Sequence, residues 1–189
     1  MLKKLQNKIE QQPAYYVNQK IKLPIYVFNL KDEIDADDII RRAYKLKKDN
    51  ELSNMKIFVK DGFQTEYLKN KDEFVDLCDV IESKVKIVTH LEYKIREYWF
   101  VFYNKGTKHI KHNHQTSPNM FGLSAVYYPA DSENASPIIF ENWNENMQNE
   151  EIKLSPCKNR LILFHSSLYH HVPKCDETPR IAFSCNLQI

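Results

Sequence analysis

Residues 160–189 read RLILFHSSLYHHVPKCDETPRIAFSCNLQI. Two β-rich runs, RLILFHS and RIAFSCNLQI, flank a turn-forming stretch, KCDETP. In the second run Arg180, Ala182, Ser184 and Asn186 fall on one face by strand alternation, and Ile181, Phe183, Cys185 and Leu187 fall on the other. The apolar face predicts packing against helices. The polar face belongs to a central-looking strand and predicts a cavity wall. An arginine on such a wall needs an anion, and its planar fork suits a carboxylate; alone on a surface it would read as an ordinary ion-pair residue.

Upstream the same texture continues back to about residue 96. EYWFVFYN, HNHQT, GLSAVYY and SPIIFEN are short β-rich runs separated by NKGT and PADSENASP. Closely spaced short strands predict a sandwich or barrel, of which the jelly roll is one solution. Before residue 95 the pattern is mixed. Leu2, Leu5 and Ile9 have helical spacing, and Ile21, Leu23, Ile25 and Val27 alternate as in a strand. Residues 35–48 read as a helix with Asp35 as N-cap. Residues 71–88 read as another, capped by Asn70 with Glu73 three positions on, and striped by Phe74, Leu77, Cys78, Ile81, Val85 and Val88. We expect one domain over 1–189, with 96–189 as the β core and 1–95 as a supporting region whose helices cover one sheet.

Composition excludes several function classes. The 27 basic and 25 acidic residues give a net charge of +2, with no long block of one sign, so there is no nucleic-acid or anionic-membrane signal. Three glycines leave no room for a Gly-rich phosphate loop. Cys78, Cys157, Cys175 and Cys185 form no Cys-x-x-Cys pair, which argues against a structural zinc site and for free thiols. The polar opening MLKKLQNKIEQQ does not read as a signal peptide, and a soluble, cytoplasmic protein is expected.

Six of the seven histidines occur from His109 onward. His112 and His114 form a His-x-His pair in an expected strand, where alternate side chains share a face and two imidazoles can converge on one metal. Alone, such a pair more often marks surface histidines. A third ligand would come from His165, His170 or His171. His109 reads as a turn residue and a reserve ligand, and His90 as a structural residue at a helix end. Trp143, in the polar run ENWNENMQNE, reads as part of a loop over the opening or as a buried anchor.

Taken in order, these elements resemble the 2-oxoglutarate/Fe(II)-dependent oxygenases, and in particular a small bacterial and phage group of them. The group has a Trp-bearing strand and a Gly before the His-x-His pair, as Trp99 and Gly106 stand here. A Ser-x-Val-Tyr-Tyr strand follows, as Ser124 to Tyr128, and then a Phe-Pro-Ser-Trp-Leu-x-His-x-Val-Pro run, as Phe164 to Pro173, before the arginine. Gly62-Phe63-Gln64-Thr65 is similar to the group's Gly-Trp-Gln-Ser element. The resemblance implies a double-stranded β-helix (jelly roll, cupin-like) with N-terminal helices on one sheet. It implies Fe(II) on His112, His114 and His170, with no further catalytic side chain. It implies 2-oxoglutarate held at Arg180 with help from Tyr128, Ser184 and, more weakly, Tyr103. O₂ and a second substrate, most often a hydroxylation substrate, complete the expected reactants.

This sequence departs from the common pattern in two places. His114 stands where most members of the wider family have a carboxylate, which leaves the site one unit more positive. Ala182 stands where many have a serine. A three-histidine cupin, either a cosubstrate-free dioxygenase or a zinc hydrolase, is the alternative reading; Arg180 has no use there. A third reading is a non-catalytic binding module with this fold. Substrate and oligomeric state are not legible in the sequence.

Overall fold

The computed structural model describes residues 22–49, 58–115, 122–132, 135–144, 146, 148–176 and 180–189. The helical spacing read over 2–10, and Ile21, lie outside them. In chain order the elements are β1 (Ile25–Asn29), α1 (Ala36–Asp49), β2 (Val59–Lys60), β3 (Phe63–Gln64), a 3₁₀ turn (Asp72–Phe74) and α2 (Val75–Thr89). Then come β4 (Lys94–Tyr103), β5 (Lys108–His112), β6 (Leu123–Tyr128), β7 (Ile138–Trp143), β8 (Asn149–Leu154), β9 (Arg160–His165), β10 (His170–Val172) and β11 (Arg180–Gln188).

The strands make two antiparallel sheets. One has six strands in the order β1-β9-β6-β11-β4-β3, and the other has five in the order β2-β5-β10-β7-β8. Alternation along the six-stranded sheet explains why it is covered on both faces. Tyr98, Phe100, Phe102, Tyr127, Leu161, Leu163, Ile181 and Phe183 join a core with Ile39, Ala43, Leu77, Ile81 and Val85 of the two helices. The intervening Trp99, Val101, Tyr103, Val126, Tyr128, Ile162, Phe164 and Ala182 join a second core with Val59, Ile138, Phe140 and Val172 of the five-stranded sheet. The expected split of β11 is therefore observed. Its apolar face meets the helices, and its Arg180 face meets the space between the sheets.

Helix α1 starts as read: the Asp35 carboxylate accepts from the backbone N–H of Asp37 and Asp38. Helix α2 differs. Asn70 accepts from Asp72 N–H, but this opens the 3₁₀ turn, and the α-helix begins only at Val75, without a side-chain cap. Phe74, the residue before that start, is buried in the core. Helix α2 ends at His90, whose left-handed φ of 59° closes a backbone bond to Lys86. Trp143 is not in a loop over an opening. It ends β7, and the run read as a loop turns back into β8.

No helix among the described residues is long and apolar enough to cross a membrane.

Candidate metal centre

A register shift and a strand end shape the site. Strand β10 pairs with β5 so that His170 faces His112, yet Val172 faces His109. Three residues of β10 thus span four of β5, with His171 opposite both Ile110 and Lys111, and the extra residue is a β-bulge. Ile110 and Lys111 both turn outward, while His109 and His112 both turn inward and stack with centroids 4.5 Å apart. His114 lies beyond the end of β5 rather than within a strand. Its backbone N–H donates to Ser166 O at 2.8 Å, and its ring reaches across to β6 and β11. The His-x-His pair therefore spans the gap between the two sheets.

His112, His114 and His170 each offer a ring nitrogen, and these atoms lie within 4.8 Å of one another. The hydrogen-bond partners determine which nitrogen each offers. His112 Nδ1 faces the carbonyl of Ile110 at 2.8 Å, and His170 Nδ1 faces that of Leu168 at 3.0 Å. A carbonyl only accepts, so both Nδ1 atoms carry the hydrogen and both Nε2 atoms present lone pairs. His114 Nδ1 lies 2.8 Å from Asn186 Oδ1, which likewise only accepts, so its Nε2 presents a lone pair 3.2 Å from His112 Nε2. Converging lone pairs with no hydrogen between them repel unless a cation lies among them.

Burial supports the same chemistry. It pushes all three imidazoles below their usual pKa, His114 to about 3, and for His170 the neighbouring histidines add to the effect. Neutral imidazole is the form that binds a metal. The donor set suits iron, zinc, copper or nickel alike.

Arg180 is fully buried. Its guanidinium lies over the Tyr103 ring, 4.4 Å from the centroid; Nη2 donates to Tyr128 Oη at 3.3 Å and Nη1 to Ser136 O. Nε has no partner, and no acidic side chain among the described residues pairs with this charge. Desolvation raises the pKa of Tyr103 and Tyr128, so both phenols keep their protons. Ser184 lines the same cavity as the histidines, but it stands four residues from Arg180, about 13 Å along a strand, and so faces the histidine end.

A cavity of about 20 Å³ runs from the three histidines past His109 to Tyr103 and Tyr128. A larger one, about 230 Å³, lies on the other side of His114, with Arg96, Glu97, Gln115, Asn186 and Gln188 in its wall. Of the other candidates, His165 bonds to Ser167 Oγ, away from the cluster, and His171 lines the smaller cavity without joining the three. His109 is a wall residue on β5, not a turn residue, and its Nδ1 lies 3.2 Å from Tyr103 Oη. Sequence reading missed its role, as it missed Asn186 as partner of His114. The first needs the bulge, and the second needs the pairing of strands distant in sequence.

No family model matches the sequence, and no curated protein matches it significantly. Solved structures do. One is a prolyl hydroxylase from Trichoplax adhaerens in complex with a hypoxia-inducible-factor peptide fragment (15% identity, TM-score 0.69, 98% of this chain and 92% of that one). Another is a viral collagen prolyl hydroxylase from Paramecium bursaria Chlorella virus-1, solved as a 2-oxoglutarate complex (14%, 0.59, 87% and 96%). A third is SnoK, a non-haem α-ketoglutarate-dependent carbocyclase of nogalamycin biosynthesis (8%, 0.70, 95% and 85%). In fold, with a cluster of three histidines set between its sheets, this chain is similar to the 2-oxoglutarate/Fe(II) oxygenases.

Proposed function

We propose that this chain is a 2-oxoglutarate- and Fe(II)-dependent dioxygenase, a hydroxylase in the simplest case, built on a double-stranded β-helix over residues 96–189 and acting as one domain. The observation that carries the reading is the pairing of two unmet demands in one interior. Three imidazole lone pairs converge and call for a cation, and a buried arginine with no acidic partner among the described residues calls for a carboxylate. The neighbours' dependence on 2-oxoglutarate supports it.

His112, His114 and His170 hold the metal in this reading, with each Nδ1–H anchored so that the rings cannot turn. Arg180 binds the far carboxylate of the cosubstrate, and the Tyr128 hydroxyl, held by Arg180 Nη2, donates to the same group. The chemistry supplied by bound Fe(II) is O₂ activation coupled to decarboxylation of 2-oxoglutarate to succinate. At about 20 Å³ the inner cavity admits one water-sized group, so a five-carbon acid enters only as the lining side chains move aside. The outer cavity beside His114 offers the second substrate a polar approach to the metal. Buried Trp99 packs edge-on against His114 with centroids 5.4 Å apart and covers one side of that ring.

The test is anaerobic Fe(II) titration followed by succinate formation, for the wild type, His114→Asp and His114→Ala. We expect full iron binding and 2-oxoglutarate-dependent succinate in the wild type. The aspartate variant should bind iron less well and turn over more slowly, because its shorter side chain falls short of a metal placed for imidazole, and the alanine variant should be worse on both counts. Full iron occupancy with unchanged succinate in His114→Ala would remove His114 from the ligand set. Metal binding without any 2-oxoglutarate dependence would favour a cosubstrate-free three-histidine enzyme.

A further inference from the structure

We propose that Glu97 is a positioning residue for the metal centre: acting through Asn186, it fixes the tautomer of His114 and returns, one shell further out, the negative charge that a carboxylate ligand would have brought. This inference rests on the three-histidine reading above.

Glu97 and Asn186 face each other across β4 and β11 on the side of the six-stranded sheet that carries Trp99 and Arg180. Glu97 is half-buried, at the wall of the outer cavity. Asn186 Nδ2 donates to Glu97 Oε1 at 2.8 Å, Asn186 Oδ1 lies 2.8 Å from His114 Nδ1, and Ser124 Oγ lies 2.9 Å from the same Oδ1.

The order of donors follows from chemistry. An ionised carboxylate only accepts, so the amide of Asn186 must turn its NH₂ toward Glu97. Its oxygen then faces His114, and this requires a hydrogen on Nδ1 and a lone pair on Nε2. Without Glu97 the amide could turn over, offer NH₂ to His114, and favour the tautomer with its lone pair on the wrong nitrogen.

The same chain carries charge. His112 and His170 anchor on neutral backbone carbonyls, whereas His114 alone is linked through one amide to a carboxylate. It is also the histidine that stands where the wider family has an acid. Polarising Nδ1–H toward a carboxylate makes Nε2 a stronger donor to a metal, as when a histidine ligand bonds a carboxylate directly.

Co(II) titration of the full chain, by competition with a chromogenic chelator, tests this. Glu97→Gln keeps the shape and can still accept from Asn186, so a merely structural bond predicts unchanged affinity. We expect it to weaken Co(II) binding about tenfold, within the range for outer partners of metal ligands. The double variant Glu97→Gln/Asn186→Asp, which sets a carboxylate directly on His114 Nδ1, should recover wild-type affinity. Unchanged affinity in Glu97→Gln overturns the proposal, as does a loss that the double variant fails to recover. His170→Ala run alongside separates this from the parent reading. If that variant still binds Co(II) fully, the three-histidine site itself is wrong.

Discussion

His109 and His112 stack on the same side of β5 although they are three positions apart, an odd step that a regular strand would turn to opposite sides, because the strand bulges between them. The bulge places His109 Nδ1 against the hydroxyl of buried Tyr103, which underlies Arg180. One short strand thus serves both ends of the inner cavity.

That contact can be measured. His109→Phe preserves the stack but leaves the Tyr103 hydroxyl without its partner, at a cost of about 1–3 kcal/mol for a buried polar group. Urea unfolding should show this loss, and Tyr103→Phe/His109→Phe should recover most of it. Additive losses in the double variant would show that the two residues do not interact.

Arg180→Met should weaken 2-oxoglutarate binding by about 2–5 kcal/mol, the range for breaking a buried charge-assisted pair, while Co(II) affinity changes little. Tyr128→Phe should cost less, about 1 kcal/mol. Isothermal titration with 2-oxoglutarate decides both. Equal affinity in wild type and Arg180→Met would remove the arginine from the cosubstrate site.

Acid should destabilise the metal-free protein. Burial holds His109, His112, His114 and His170 below the usual 6.5, and His114 reaches about 3. Between those values the unfolded chain binds protons that the native state refuses. Stability is therefore greatest above 6.5 and falls as pH drops toward the native values, by about 1.4 kcal/mol per pH unit for each such group. The urea midpoint of the apoprotein should be lower at pH 5.5 than at pH 7.5, with a smaller difference in His114→Leu. A midpoint independent of pH would contradict the burial of these rings.

Glu82 ties α2 to the six-stranded sheet. Its carboxylate accepts from Lys71 Nζ at 2.6 Å, Lys94 Nζ at 2.7 Å and the backbone N–H of Ile95 at 2.9 Å. The carboxylate is lowered in pKa because these donors outweigh its desolvation. Glu82→Ala leaves a buried N–H unpaired and frees two lysines, and should cost about 2–3 kcal/mol in chemical denaturation. A loss under 0.5 kcal/mol would show the cluster to be fully solvated.

The features legible in the sequence were those written within a single element. The alternation of β11, the cap at Asp35 and the core stripe from Phe74 to Val85 all depend on neighbours a few residues apart. Strand β8 was missed because it is an edge strand paired only with β7, and its Asn149, Glu150 and Glu151 stand in solvent, leaving no apolar rhythm to read. His112, His114 and His170 came from an ordered resemblance, and the structure brings their nitrogens together. Glu97, Asn186 and His109 could not be found that way, since their parts depend on register between strands up to 89 residues apart.

The guanidinium of Arg180, which meets no carboxylate among the described residues, has a consequence for the folded state as a whole. Its partners are two neutral oxygens, and one of its nitrogens has none, so the native state carries a buried charge whose solvation is incomplete. A carboxylate that settles against it binds only the native chain and draws the folding equilibrium with it, by about 2.7 kcal/mol at a hundredfold excess over Kd. Melting temperature should therefore track the concentration of dicarboxylates in the medium, so that, on the proposed reading, the supply of a small acid sets the lifetime of the protein as well as its turnover.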